Sequence, residues 1–358
     1  MKIEKFGKMK NGEDVVRITM TNKNGMSVTV SDIGATIHKV IVPDHKGNKV
    51  DVVTGYDTLK CYEENFDSFG ATIGRVANRL ANASFTVGGK TYTVEKWAGQ
   101  GNASLHSFPN NYSLRKWNYL TDEDEDGQSV TFYIHSPHMD QGYPGNADIE
   151  VTISLTEENE LMLQYYGLSD MDTPYNMTNH AFFNLNGHKS GDILNHSLWI
   201  DSNEISLYDQ DLCPTGETVK AEGTPYDFRE PKTVGRDIQA DDPMLKRNGG
   251  YDQNYIVNGG KKQEEAGLVA AVEGDQTGIR MEVFTDLPSL QLYTSNLTDR
   301  EFFYKNGKEG MDYPNHCGIC LESQFVPNSV NLDLEEKGML YAGKELVSLT
   351  VYKFSTRE

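Results

Sequence analysis

The feature that most constrains this chain is a two-residue alternation that recurs along it. Val15-Val-Arg-Ile-Thr-Met20, Ser129-Val-Thr-Phe-Tyr-Ile134, Asp148-Ile-Glu-Val-Thr-Ile-Ser-Leu155 and Glu160-Leu-Met-Leu-Gln-Tyr-Tyr166 are β-branched or aromatic with period two. That pattern predicts strands with one buried and one exposed face. Turn signals punctuate them at Asn24-Gly25, Gly88-Gly89, Asp126-Gly127 and Asn186-Gly187. Helical periodicity is almost absent. Many short strands with this punctuation predict an all-β sandwich or barrel. Strands continue to a closing segment, Glu345-Leu-Val-Ser-Leu-Thr-Val-Tyr-Lys-Phe354, and no Pro-rich or Ser-rich linker interrupts them. The expectation is therefore one domain over residues 1–358, a size that can bury a substantial core.

Charge excludes some functions. Lys and Arg number 33 against 53 Asp and Glu, a net charge of −20. Such a surface repels phosphate backbones and anionic membranes, so neither nucleic acid nor membrane is an expected partner. The N-terminal segment lacks an apolar core of the secretory type, and no long apolar run occurs, so the expected location is cytoplasmic. Four cysteines do not make a disulfide framework in a chain of 358 residues. Cys317-Gly-Ile-Cys320 has redox or zinc spacing. It sits in a segment read as strand, where residues three apart face opposite sides, and no second pair completes a zinc site. Asp122-x-Asp124-x-Asp126-Gly127 resembles the start of a calcium loop, but Tyr133 stands where the loop needs a bidentate Glu. A solvated hairpin tip is the expectation there.

Four segments mix polar groups with apolar strands. Gly74-Arg-Val-Ala-Asn-Arg-Leu80 offers Asn78 and Arg79 as donors to an oxygen-rich ligand, or as partners in a loop closed by Arg–carboxylate pairs. Asn102-Ala-Ser-Leu-His106 contributes a histidine that suits structural and catalytic roles equally. Asn176-Met-Thr-Asn-His180-Ala-Phe-Phe-Asn-Leu-Asn-Gly187 surrounds a histidine with amides and aromatic faces, which suit the hydroxyl rim and C–H face of a sugar. Cys320-Leu-Glu322-Ser-Gln324 places a carboxylate in a strand read as buried, where its pKa would rise. The other reading puts Glu322 on a solvated strand face. Tyr251-Asp252-Gln-Asn254 and Leu290-Gln291-Leu-Tyr293 add weaker candidates, Asp252 and Gln291.

In order and spacing, these segments resemble the aldose 1-epimerase (galactose mutarotase) family. The match is carried by GRVANRL, Leu105-His106, GYPGNADIEVTISLTEENEL, NMTNHAFFNLNG, YDQNYIV, LQLYTSN and LESQFVPNSVN, across roughly residues 30 to 350. The resemblance implies a large antiparallel β-sandwich of the galactose mutarotase-like supersandwich type. It implies an isomerase that interconverts the α and β anomers of a free aldose by acid–base ring opening and reclosure. His180 is then the general acid and Glu322 the general base, with His106 assisting. Asn78, Arg79, Asp252 and Gln291 bind the sugar, and Asp252 could help hold a His180 imidazolium. No nicotinamide, flavin or metal cofactor is implied. The expected partner is a small aldose, with the chain a monomer or homodimer. Ser107 and Phe108 stand where the family usually has glycines after the first histidine, and Phe182 where it often has tyrosine. Those departures bear on sugar preference. The alternatives are a glycosidase using Asp252 and Glu322, and a carbohydrate-binding protein without catalysis.

Overall fold

The computed structural model describes residues 1–65, 67–97, 101–259, 266–296 and 306–357. Three antiparallel sheets dominate it. The first five strands, Lys2–Lys8, Asp14–Thr21, Ser27–Ser31, Thr36–Pro43 and Lys49–Asp51, pair in chain order. A nine-stranded sheet follows the alternating segments: Asn118–Glu123, Gly127–Ser136, Ala147–Thr156 and Glu160–Ser169 form a meander. The C-terminal strand Leu346–Thr356 then lies between Glu160–Ser169 and Ile279–Thr285. The third sheet runs in the order Pro214–Lys220, Ser202–Tyr208, Asp252–Val257, Ser289–Tyr293, Cys320–Gln324.

The period-two pattern explains why these strands bury one face. Ile149, Val151 and Ile153 from one alternating segment are fully buried, while Glu150, Thr152 and Ser154 between them are partly exposed. Their inward side chains meet Val28 and Val30 of the first sheet and Leu290, Leu292 and Leu321 of the third in one apolar cluster. Fully burying each such side chain contributes about 1.5–3 kcal/mol. Turns fall where the sequence places them. Gly88 and Gly89, at φ 58° and 77°, form the two-residue connection of the Ser84–Val87 and Lys90–Thr93 hairpin, a conformation glycine adopts without steric cost. The acidic run is a hairpin tip, in which Asp124 Oδ1 accepts from the N–H groups of Asp126 and Gly127. Among the described residues no helix is long and apolar enough to cross a membrane.

Two features refine the reading of the cysteines. The strand begins only at Cys320, so Cys317 lies in the segment before it. Both thiols are free and have separate neighbours: Cys317 Sγ lies 3.2 Å from Ser295 Oγ, and Cys320 Sγ lies 3.7 Å from His180 Nδ1.

Candidate active site

The third sheet positions the carboxylates. Asp252 pairs with Tyr293 and Tyr293 with Cys320; Asn254 pairs with Gln291 and Gln291 with Glu322. Directly paired residues share a face, as do residues two apart along a strand. Asp252, Gln291, Tyr293, Cys320 and Glu322 therefore project from one side, while Leu290, Leu292 and Leu321 enter the core on the other. This period-two face forms the floor of a cleft of about 400 Å³, within the range of small-molecule sites. All seven residues singled out from the sequence, Asn78, Arg79, His106, His180, Asp252, Gln291 and Glu322, line it.

His180 follows the short strand Thr178–Asn179, paired with Thr72–Ile73. Its backbone N–H donates to Ala71 O at 2.9 Å, and its carbonyl accepts from Gly70 N–H at 3.0 Å, so the main chain is held at both ends. The ring Nε2 lies 3.7 Å from Glu322 Oε1. Phe182 and Tyr293 pack around it, with ring centroids at 5.0 and 6.1 Å.

His106 reaches the cleft from the opposite wall. Leu105 pairs with Arg79, and beyond it His106, Ser107 and Asn78 adopt φ values of 52°, 58° and 59°. Non-glycine residues seldom take this left-handed region, and it clusters at functional sites. Two hydrogen bonds join the crossing: His106 N–H donates to Asn78 O at 2.9 Å, and Asn78 N–H donates to His106 Nδ1 at 3.1 Å. Because Nδ1 accepts, the proton of the neutral imidazole sits on Nε2. The ring stands edge-on to His180, with centroids 5.3 Å apart at 86°.

Electrostatics decide the resting charges. Burial lowers His180 to about 4, partly opposed by its own carbonyl and by Asp252. Burial, followed by His180 and Arg79, pushes His106 well below the usual histidine range. Burial lifts Glu322 well above the carboxylate range; Asp252 adds to the rise and Arg79 opposes it. Glu322 is 2 % exposed, which excludes the solvated-face reading. The 3.7 Å contact is thus not a fixed ion pair. Removing two charges from water costs more than their attraction returns, so the neutral pair, with the proton on Glu322, is favoured.

Asp252, expected among the sugar-binding residues, lines the cleft and also bonds two of its neighbours. Its Oδ1 accepts from Gln291 Nε2 at 2.6 Å, and its Oδ2 faces Arg79 Nη2 at 3.5 Å. Both oxygens have a neighbouring donor, and the Asp252 charge raises His180 through space. Asn78 Oδ1 accepts from Arg79 N–H at 2.8 Å, leaving its amide nitrogen as the donor it can offer. Ser107 turns away from the cleft: its hydroxyl bonds Val76 and Tyr143. Phe108 packs against Trp97 at 4.5 Å, and Phe182 against Phe69 at 4.5 Å.

Sequence reasoning missed Trp97, Asp211, Arg247, Asn248 and Tyr293 as lining residues. Tyr293 was recoverable, because it lies two residues from Gln291 on the same strand face. Arg247 and Asn248 come from the short helix Pro243–Asn248, capped by the Asp242 carboxylate, and no local pattern points them at the cleft.

Comparison with known proteins identifies the family. The aldose 1-epimerase family model matches residues 16–353. Mouse galactose mutarotase is 34% identical over 352 residues, covering 98% of this chain and 97% of that protein. The aldose 1-epimerase of Escherichia coli K12 is 33% identical over 347 residues, covering 96% of each. Among solved structures, a GalM/aldose epimerase homologue from C. elegans superposes with a TM-score of 0.82 at 29% identity, covering 96% of this chain and 99% of that one. Galactose 1-epimerase from Lactobacillus acidophilus NCFM shares the fold, with a TM-score of 0.85 at 24% identity over 100% of this chain and 99% of that one. The chain belongs to the aldose 1-epimerase family, and its β-sandwich carries that family's isomerase activity.

Proposed function

We propose that the cleft interconverts the anomers of a free aldose through one proton shared by Glu322 and His180, 3.7 Å apart. That separation, in a cleft floored by polar strand residues, is the observation that carries the reading. With a cyclic sugar bound, ionised Glu322 takes the proton from the C1 hydroxyl. Protonated His180 gives its Nε2 proton to the ring oxygen. The C1–ring oxygen bond breaks, the C1–hydroxyl oxygen bond becomes a carbonyl, and the open-chain aldehyde faces a neutral acid and a neutral imidazole. Rotation about C1–C2 presents the other face. The same two transfers in reverse close the ring.

The electrostatics suit both halves of this cycle. The charged pair needed to attack the ring is supported by Arg79, which lowers Glu322, and by Asp252, which raises His180. The neutral pair that accompanies the aldehyde is the state that burial favours. Arg79 and Asp252 thus offset part of the cost of forming the charged pair, and ring opening returns the pair to its favoured neutral state. His106 donates a fixed Nε2–H to a sugar oxygen and positions it. Arg79, Asn78 and Gln291 supply donors to hydroxyls, and Asp252 aligns Arg79 and Gln291.

The substrate follows from the same reading: a free hexose, in carbohydrate metabolism, with the cytoplasm as the compartment. Four free thiols suit a reducing environment. Polarimetry on freshly dissolved α-anomers of several aldoses tests the proposal. Decay of rotation no faster than in buffer, for every hexose and pentose offered, would overturn it.

A further inference from the structure

An imidazole that passes a proton to a sugar must keep a proton on its other nitrogen, or it would be left as an anion. At His180 the nitrogen facing Glu322 is Nε2. The tautomer that works is therefore the one with hydrogen on Nδ1, and the partner of Nδ1 must be an acceptor. The sulfur of Cys320 lies 3.7 Å from Nδ1. Cys320 is fully buried, on the same strand as Glu322 and two residues before it, so both side chains come from one face. We propose that Cys320 is a positioning residue: its sulfur accepts the Nδ1–H of His180 and so makes Nε2 the nitrogen that exchanges the proton.

The chemistry of the neighbours favours sulfur in this place. A carboxylate against Nδ1 would hold the imidazolium and oppose its deprotonation. A backbone N–H would force the proton onto Nε2, which is what Asn78 N–H does at His106. A thiol is a weak, polarisable acceptor that tolerates imidazole and imidazolium alike. Burial holds the Cys320 thiol well above its ordinary range, so it stays S–H and brings no charge. The carbonyl of His180 itself is a second acceptor for its ring and works in the same sense as the sulfur; Glu322, His106, Phe182 and Tyr293 have no contact with Nδ1 among the described residues. Two histidines 5.3 Å apart thus carry opposite tautomers, one a fixed donor and the other a shuttle.

The inference rests on His180 as the exchanging acid, and its test separates the two ideas. The ¹⁵N shifts of the histidine rings are recorded on the free full-length protein at neutral pH, for wild type, Cys320→Ser and Cys320→Ala. The expected wild-type spectrum shows His180 protonated at Nδ1 and bare at Nε2, with His106 the reverse. In Cys320→Ala the His180 tautomers mix, kcat falls on the order of tenfold, as for other orienting partners of a functional histidine, and KM changes little. Cys320→Ser, whose oxygen also accepts, keeps the tautomer and recovers most of kcat. Unchanged His106 shifts certify that the variants are folded. A bare Nδ1 on wild-type His180, or an alanine variant with unchanged tautomer and kcat, would overturn the proposal. A fully active His180→Asn variant is a separate failure: it removes the acid assignment, and with it the role of Cys320, whatever the spectrum shows.

Discussion

Replacing Glu322 with Gln separates catalysis from stability in one variant. Gln keeps the shape of the side chain and removes the proton acceptor. A positioned acid or base contributes about 10² to 10⁴ in rate, so anomer exchange should fall by that factor. At about 1.36 kcal/mol per tenfold, the barrier rises by about 2.7–5.5 kcal/mol. The stability change runs the other way. Glu322 is raised in the folded state, chiefly by burial, whereas an unfolded glutamate titrates near about 4.3. Between those two values the folded chain keeps a proton that the unfolded chain gives up. Wild-type stability therefore falls as pH rises through that window, by about 1.4 kcal/mol per pH unit for one group. The Gln side chain carries no such dependence. Polarimetry of a freshly dissolved α-hexose at pH 7.5, corrected for the spontaneous rate, reads the first effect. Urea denaturation at pH 4.5 and 7.5 reads the second, and the Gln variant should gain on wild type by more than about 1 kcal/mol between the two. A rate within about threefold of wild type would refute the base assignment. A stability difference that does not move with pH would refute the burial argument behind it.

Three further outcomes follow from the same geometry. His180→Asn should lose anomer exchange by a similar factor, while the bound sugar still protects the fold against urea. Wild-type His180, lowered to about 4, contributes stability that is complete above the unfolded value and lost as pH falls toward 4. Denaturation at pH 4 and 7 should therefore show a smaller acid loss in the Asn variant. Arg79→Leu removes the cation that lowers Glu322, so the acid limb of the kcat/KM profile should move to higher pH, with KM raised about tenfold or more; an unmoved limb argues that Arg79 only binds. Asp252→Asn keeps a partner for Gln291 but removes the charge opposite Arg79, and should raise KM more than it lowers kcat. The reverse split would place Asp252 in the chemistry and revive a two-carboxylate glycosidase, which release of an aryl aglycone would reveal.

The strands were legible because alternation is a local property. Any half-buried strand must repeat its pattern every second residue, and Asp148–Leu155 does so without reference to the rest of the chain. Glu322 and Gln291 could be singled out for a related reason: a carboxylate or amide among apolar strand residues needs a partner or a task. Their convergence was not legible. His106, His180 and Glu322 are far apart in sequence, and only sheet pairing and the left-handed crossing at Asn78 and His106 bring their rings and carboxyl group to one cleft. The commitment of Asp252 to Arg79 and Gln291 was equally hidden, because it depends on which strands become neighbours.

The sequence by itself determined that this chain folds as layered strands and which polar residues stand out against that pattern. Tertiary structure alone decided which nitrogen of His106 accepts a hydrogen bond, and that burial raises Glu322 and lowers His180. Propensity and periodicity act between near neighbours along the chain, whereas desolvation and hydrogen-bond direction depend on every group that closes around a side chain once the sheets have packed.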